Sequence, residues 1–409
     1  MNPSFPQALA AFARIGLLSF GGPAGQIATM HRVLVDEKRW LDEPRFLHAL
    51  NFCMLLPGPE AQQLATYAGW LLHGVKGGLA AGILFVLPGF LVMLGLAALY
   101  AGFSDLTYVQ GLFLGIKPAV LAVVVQAGLR IGGRALKDNF AKTVAAASFL
   151  ALFALDLPFP LVVLGAGLVG WWRGRGGETP TAVVAARSNT GRAVLLWLVL
   201  WLAPVGLALL WGQGAFAAIG LFFAKLAVVT FGGAYAALSY VAQQAVENYG
   251  WLSAGEMLDG LGLAETTPGP LVLVNQYVGF IAGFRHPGPL DPWLGGVLGA
   301  GLTVWVTFVP SFLWIFALAP HVERLRGHAA LSAALSAITA AVVGVIFNLS
   351  LWFALHVLFA RFDGAWPRPD SVQPLSLALA VFALVALVRL KWGMAPVLAL
   401  CGLVGVGLA

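Results

Sequence analysis

Of the 409 residues, 60% are hydrophobic and 10% charged, with a mean hydropathy of +0.88. Such a composition excludes a soluble multidomain protein and leaves a polytopic membrane protein. The formal net charge of +6 is carried mostly by loops, and no basic cluster suggests DNA, so it reports orientation in a bilayer rather than a nucleic-acid partner.

Apolar runs with Gly and Pro inside them recur along the whole chain, and the period-two alternation of a membrane barrel is absent. The expected fold class is therefore all-α. Cys53 and Cys401 are the only cysteines, too few for a disulfide framework or a metal site. The amino terminus has no charged stretch before its apolar run, which reads as a first span and not as a cleaved signal.

In chain order, a first apolar segment runs from Phe5 to Met30 and contains Arg14 and Ser19-Phe20-Gly21-Gly22-Pro23. A charged loop, Arg32 to Glu43, leads to a segment from Pro44 to Leu72 that is interrupted by Pro57-Gly58-Pro59. Spans are expected at Gly77–Ala101, Leu106–Leu129, Ala141–Leu155 and Pro158–Trp172, the last two short. A polar linker follows, and then Ala193–Trp211 with Pro204 inside, an apolar stretch with no earlier counterpart.

From Phe223 the first half begins again. At a constant offset of 211, Phe20-Gly21-Gly22 matches Phe231-Gly232-Gly233, Trp40-Leu41 matches Trp251-Leu252, and Pro57-Gly58-Pro59 matches Pro268-Gly269-Pro270. Beyond the loop around Arg285 to Pro292 the offset becomes 222, pairing Pro88 with Pro310. This is an internal repeat. The expected organisation is 1–173, an N-terminal repeat; 174–192, a cytoplasmic linker; 193–212, an extra span; and 213–409, a C-terminal repeat.

Each Pro-Gly-Pro should break a helix into two half-length pieces, because proline removes a donor and clashes with the preceding turn while glycine weakens what remains. Pro59 and Pro270 would take the first position of a new half-helix. In lipid such breaks persist only where they are buried in protein or line a wet cavity. Amides and dipole ends then face inward, as in transporters of inverted-repeat design that receive an anion.

Clusters of Lys and Arg mark cytoplasmic loops at Arg130, Arg134, Lys137 and Lys142, at Arg173, Arg175, Arg187 and Arg192, at Arg324 and Arg326, and at Arg389 and Lys391. If each broken segment crosses once, two six-span halves flank one extra span. The expectation is about 13 membrane segments, antiparallel repeats and a cytoplasmic amino terminus. The acidic loop around Glu247 and Glu256, placed inside, sits awkwardly with this; a re-entrant hairpin at each Pro-Gly-Pro is the alternative.

The motifs resemble the chromate ion transporter family, which carries a Phe-Gly-Gly motif near the first span and a Pro-Gly-Pro motif after it. The matching wording is Ser19-Phe20-Gly21-Gly22-Pro23, Lys38-Arg39-Trp40-Leu41 and Leu56-Pro57-Gly58-Pro59-Glu60-Ala61-Gln62-Gln63. The second copy, Thr230 through Trp251-Leu252 to Thr267-Pro268-Gly269-Pro270, is similar to the family's second domain, so the resemblance covers essentially the whole chain and points to its long, two-domain branch. Gln26 departs from the pattern, since many relatives carry histidine there; a role for that histidine cannot be carried over. The resemblance implies export of chromate across the cytoplasmic (inner) membrane, giving resistance, driven by the proton-motive force.

Charged side chains inside spans cost about 2.5–3.5 kcal/mol each on insertion scales unless they meet a partner or water. Arg14 and Lys225 stand at matched positions and could neutralise a divalent oxyanion, Arg14 by a forked contact and Lys225 as a point charge; alternatively both snorkel to an interface or pair with Glu60 or Glu265. Lys117, just before Pro118, could contact the anion or hold the carbonyl that the proline frees. Glu60 opens one half-helix, where a carboxylate suits the dipole, and Glu265 ends another, where its anion is disfavoured. Both are candidates for a coupling proton, Glu265 the better of them.

Gly21, Gly22, Gly232 and Gly233 allow close backbone approach, to a neighbouring helix more readily than to the ligand. Gln62, Gln63, Thr66, Thr266, Thr267, Asn275 and Gln276 are uncharged groups near the breaks that suit an oxyanion or freed backbone. Pro57, Gly58, Pro59, Pro268, Gly269 and Pro270 complete the expected anion site. No cofactor or metal is expected, and His321 and His328 read as solvated.

An intramembrane enzyme would need a nucleophile with its base or a metal cluster, and the spans offer neither. The alternatives that remain are a carrier of sulfate or another oxyanion, since sulfate and chromate share charge and shape, and an anion channel. Expected partners are a small inorganic anion and the lipid bilayer, with no nucleic acid; oligomeric state is open, a homodimer included.

Overall fold

The computed structural model describes residues 3–20, 22–175, 190–231, 234–318, 329–364 and 366–408. Gly21, Gly232 and Gly233 of the two glycine motifs, and Arg187, His321, Arg324, Arg326 and His328 of the loops, lie outside the described residues. Among the described residues, apart from one short antiparallel hairpin, Phe362–Asp363 with Trp366–Pro367, the regular structure is helical.

Five described helical segments are long and apolar enough to cross a membrane: Glu60–Phe103, which is two helices joined at His73 and Gly74, Thr107–Ala135, Gly191–Trp211, Pro292–Leu318 and Ala329–Leu358. Phe5–Leu17, Gly22–His31, Glu43–Cys53 and Ala254–Thr266 are each too short to span alone. Thirteen crossings are therefore not readable from helix length. Two compact units are present, each assembled from three stretches: Met1–Ala98 with Arg173–Ala234 and Thr267–Ser332, and Leu99–Trp172 with Tyr235–Thr266 and Ala333–Ala409.

Both Pro-Gly-Pro sites break helices. Asp42 caps the helix Glu43–Cys53 by accepting from the Arg45 amide at 2.8 Å, the helix stops at Cys53, and the chain resumes as helix only at Glu60. In the second copy Ala254–Thr266 ends before Thr267, and Leu271–Leu273 forms a 3-10 turn that runs into Val274–Arg285. The prolines sit one position earlier than expected. Pro59 accepts from the Gln63 amide at 3.0 Å and Pro270 from the Leu273 amide at 2.9 Å, so each is the cap residue, its carbonyl already committed while its own backbone is still outside the helix.

The expected single span Phe5–Met30 is itself broken, into Phe5–Leu17 and Gly22–His31. Its repeat partner is broken in the same place, between Phe216–Val229 and Ala234–Ala242. The cause is local. Ser19 and Thr230 turn their hydroxyls back onto the carbonyls of Ile15 and Leu226, at 2.6 and 2.7 Å, satisfying acceptors at a helix end. Gly22 then adopts φ +71° with open space where a Cβ would stand, so this glycine serves a backbone turn and not helix packing.

Helix boundaries repeat along the chain. Wide π turns occupy Arg32–Glu37 and Gln243–Asn248, again 211 apart, and each ends in a left-handed residue, Arg39 or Gly250, before a tryptophan. The tryptophan amides close the turn onto Leu34 and Ala245 at 2.9 and 2.8 Å. Thr107–Ala135 corresponds to Ala329–Leu358, and Phe159–Gly174 to Met394–Leu408. Arg130 and Arg134, expected in a loop, ride on the last turns of Thr107–Ala135, where cations complement the carboxyl end of the helix.

In the first unit, Phe12, Ile15, Met30, Phe46, Leu64, Phe85 and Phe312 belong to one buried apolar cluster. The chain reverses at His73 and Gly74, both non-helical, which returns Gly77 against Gly69. Residues eight apart in a continuous helix would be about 12 Å apart, so this contact requires the reversal. Thr190–Trp211 is fastened to Pro292–Leu318 by two indoles, Trp201 donating to the Val306 carbonyl at 2.9 Å and Trp305 to that of Leu200 at 2.8 Å. In the second unit, Gly115 and Gly405 let Thr107–Ala135 and Met394–Leu408 meet backbone to backbone.

A methyl group on Gly279 would stand 2.8 Å from the Gly299 carbonyl and press on Thr303. Gly279→Ala is expected to lower stability by about 1–3 kcal/mol, seen as a lower thermal midpoint in detergent. His31 bridges Glu43 at 2.5 Å and Asp36 at 3.3 Å, and its hydrogen bond to Glu43 raises its pKa above the usual value. The resulting stabilisation is complete below the unfolded histidine value and is lost as pH rises through the folded one; at this partly exposed site it is worth about 0.5 kcal/mol. The midpoint should fall slightly with rising pH in the wild type, and that component should vanish in His31→Gln.

Candidate functional site

Within the first unit, the ends of the broken helices surround a narrow cavity. Its described lining comprises Pro23 and Gln26, Gly58 to Ala61, Leu226, Ala227, Thr230, Ala234, Pro270 to Val272, Asn275 and Thr307. The space open to the centre of a water-sized sphere is about 30 Å³, room for two or so waters and hence for a small inorganic solute rather than an organic one.

Its frame is made by two hydrogen bonds. Gly58 donates its amide to the Thr230 carbonyl at 2.9 Å, and Gly269 donates to the Ser19 carbonyl at 2.7 Å. Residues 58 and 269 are equivalent in the repeat, as are 19 and 230, so each Pro-Gly-Pro of one half holds the first break of the other. The two glycines adopt φ +110° and +97°, which only glycine reaches without strain.

The lining chemistry is polar but almost uncharged. Asn275 is 1% exposed, and both atoms of its carboxamide lack a hydrogen-bond partner among the described residues, as do the Thr307 hydroxyl and Gln26 Oε1. Gln26 Nε2 donates to the Gly269 carbonyl at 2.6 Å, fixing that side chain across the break. Gln62 is fully buried with both carboxamide atoms unpartnered, and so is the Ser311 hydroxyl, close to Gly58. Unmet donors and acceptors each cost about 1–3 kcal/mol when buried, which is the signature of groups kept for a ligand or ordered water. The first amides of a helix have no partner within it; those of Glu60 and Ala61 belong to lining residues.

Glu60, Gly58, Pro59 and Pro270 thus line one cavity, together with Asn275. Pro57 accepts from Gln63 Nε2 at 2.7 Å, Thr267 is buried, and the Gly89 backbone packs against Pro268. Gln276 donates to the Phe90 carbonyl at 2.9 Å.

The cations expected to meet the anion are not among the described lining of this cavity. Arg14, 49% exposed, forks onto Glu37 at 2.7 and 3.5 Å and is not among the lining residues. Lys225 is exposed on Phe216–Val229 and is likewise absent from the described lining. In the second unit Lys117 pairs at 3.4 Å with Asp259, whose side chain is 4% exposed and also accepts from the Tyr100 hydroxyl at 2.9 Å. Glu265, also buried there, accepts from Tyr235 at 2.5 Å.

Asp259 and Thr307 were not singled out by the sequence reading. A carboxylate between Leu258 and Leu261 in an apolar half-helix was a usable signal, since Lys117 lacked an assigned partner. Because half of that ion pair is buried, Lys117→Met should cost about 2–3 kcal/mol, with Lys117→Met/Asp259→Leu recovering much of it; thermal midpoints of the three proteins measure the coupling.

The family profile described as chromate transporter matches residues 6–171 and 217–406. A chromate transport protein of Pseudomonas aeruginosa is 33% identical over 93% of this chain and 86% of its own length. Another from Cupriavidus metallidurans is 28% identical over 82% and 79%, and a probable chromate transport protein of Synechococcus elongatus is 27% identical over 84% and 83%. No solved structure matches the chain. With its two broken-helix copies both inside the matched blocks, this chain belongs to the chromate transporter family.

Proposed function

We propose that this protein is a secondary transporter that exports chromate across the cytoplasmic membrane, binding the anion in the cavity between the broken helices and drawing on the proton-motive force, with resistance as the result. The observation that carries this reading is the pairing of amide-bearing half-helix ends with the unpartnered Asn275 and Thr307 in a space sized for a small ion. The names of the relatives supply the substrate class.

The reciprocal Gly58–Thr230 and Gly269–Ser19 bonds support inverted repeats, because a twofold relation makes each contact occur twice with the partners exchanged. In this reading the site is made by both copies, and the amino terminus is cytoplasmic.

The direction follows from charge. Moving one elementary charge through a membrane potential is worth about 2.3 kcal/mol per 100 mV, so a dianion leaving an inside-negative cell gains about twice that. Uncharged donors suit such a cargo. They hold the anion by charge-assisted hydrogen bonds while leaving no fixed cation to trap it. Sulfate, alike in shape and charge, is the competing cargo.

Labelled chromate should enter inverted membrane vesicles saturably when respiration energises them and should stop when a protonophore is added. Uptake that is linear in concentration, or indifferent to the protonophore, would count against a potential-driven carrier. Asn275→Leu, which keeps the shape but removes the donor, should raise KM about tenfold or more, the loss of one hydrogen bond to a charged ligand.

A further inference from the structure

We propose that Ser311 is a second contact for the anion, on the approach to the cavity from the Leu318 end of Pro292–Leu318, so that the ion passes from one hydroxyl to the next along a single face of that helix. This deepens the export reading and rests on it.

The first sign is a habit that Ser311 breaks. A serine or threonine hydroxyl inside a helix commonly donates back to the carbonyl four residues earlier. Ser19, Thr66, Thr230, Thr303, Thr339 and Ser350 all do so, at 2.6–2.9 Å. Thr307 and Ser311, 5% and 1% exposed, do not, and each buried hydroxyl lacks a partner among the described residues. They follow Thr303 at intervals of four and so share its face. The stripe thus changes from self-satisfied to unmet where it reaches the cavity, which Thr307 lines. Trp314, next on that face, likewise keeps its indole N–H buried and unpartnered.

The second sign is what surrounds Ser311. Its Oγ lies 3.8 Å from the point where a Cβ on Gly58 would stand, with Gln63 Nε2 at 3.1 Å and the Ala227 carbonyl at 3.9 Å from the same point. Gly58 lines the cavity, so Ser311 stands just behind a wall that has no side chain. Gln63 Nε2 commits one N–H to the Pro57 carbonyl and carries a second. The adjoining flank of the helix is filled instead: Phe312 and Phe316 pack on Trp197 at 5.4 and 5.5 Å, with their rings against Gly82 and Gly78.

The spacing suits a transfer. Residues four apart in a helix are about 6 Å apart along its axis. Two hydrogen bonds of about 2.7 Å, made by different oxygens of one tetrahedral ion, bridge that distance, so the ion takes hold of Thr307 before it leaves Ser311. Hydroxyls rotate to follow an acceptor. Because the helix runs on from Ser311 to Leu318, toward the Arg324 and Arg326 loop read as cytoplasmic, an exported ion meets Ser311 first.

The test uses the full-length protein in inverted vesicles, whose outer surface is the cytoplasmic face. Ser311→Cys is treated with a membrane-impermeant, negatively charged methanethiosulfonate, and modification is followed by intact mass. Leu313→Cys, buried on the opposite side of the same helix, is the control, and the wild type with its buried Cys53 and Cys401 gives the background. Ser311→Cys should react about tenfold or more faster than Leu313→Cys. Chromate at ten times its KM should slow that reaction about tenfold, and the rate should return when chromate is washed out. In uptake assays Ser311→Ala should lower kcat/KM about tenfold, the loss of a hydrogen bond to a charged ligand, whereas Ser311→Thr, which keeps the hydroxyl, should stay within about threefold of the wild type.

Equal labelling of the two cysteines, labelling without reversible protection, or wild-type kcat/KM in Ser311→Ala would overturn the assignment while saturable chromate uptake left the export reading standing. Wild-type vesicles without saturable uptake would overturn both. Should Ser311→Cys fail to reach the membrane, the Ala and Thr variants decide alone.

Discussion

Two backbone hydrogen bonds organise the meeting point of the broken helices. A chain interrupted inside a membrane exposes amides and carbonyls that lipid cannot satisfy, and each of those groups costs several kcal/mol if left alone. Here Gly58 meets Thr230 and Gly269 meets Ser19, so the interruptions of one copy are made good by those of the other. That mutual dependence explains why both copies keep two breaks instead of one. It also explains the glycines, since the amide can reach across only from the left-handed backbone that Gly58 and Gly269 adopt.

Apart from Glu60, the described lining of the cavity framed in this way offers dipoles and hydrogen-bonding side chains and no cation. Arg14, at the edge of its short helix, is spent on Glu37, and Lys117 on Asp259. If the cavity is the anion site proposed above, a fixed cation there would bind a dianion tightly and release it slowly, whereas a carrier must let go on every cycle. Neutral groups such as Asn275 and Thr307 give a shallower well.

How much of this was legible from the sequence depended on the range of the physics involved. Pro57-Gly58-Pro59 and Pro268-Gly269-Pro270 were readable as breaks because proline acts on its own turn. Their shared spacing with the glycine motifs exposed the repeat. The earlier breaks at Ser19 and Thr230 were not seen, because a hydroxyl folding back onto a helix end looks like any serine or threonine within an apolar run. Arg14 was read toward the ligand because its partner Glu37 lies 23 residues away and is delivered by a π turn that composition does not announce. Asn275 could be noticed as a donor near a break, whereas Thr307, in the middle of Pro292–Leu318, is placed at the cavity only by tertiary packing.

The widened turns carry a genealogical message. Arg32–Glu37 and Gln243–Asn248 share the same surplus residue, the same left-handed ending and the same closing tryptophan. A turn of the same length and closure at the same register in both copies is what a shared origin of the two modules accounts for. The hairpin Phe362–Asp363 with Trp366–Pro367, between Ala329–Leu358 and Pro374–Leu384, has no equivalent between Thr107–Ala135 and Asn139–Phe153. It belongs to one copy alone, so the two halves have diverged at this connection while their paired turns have kept one shape.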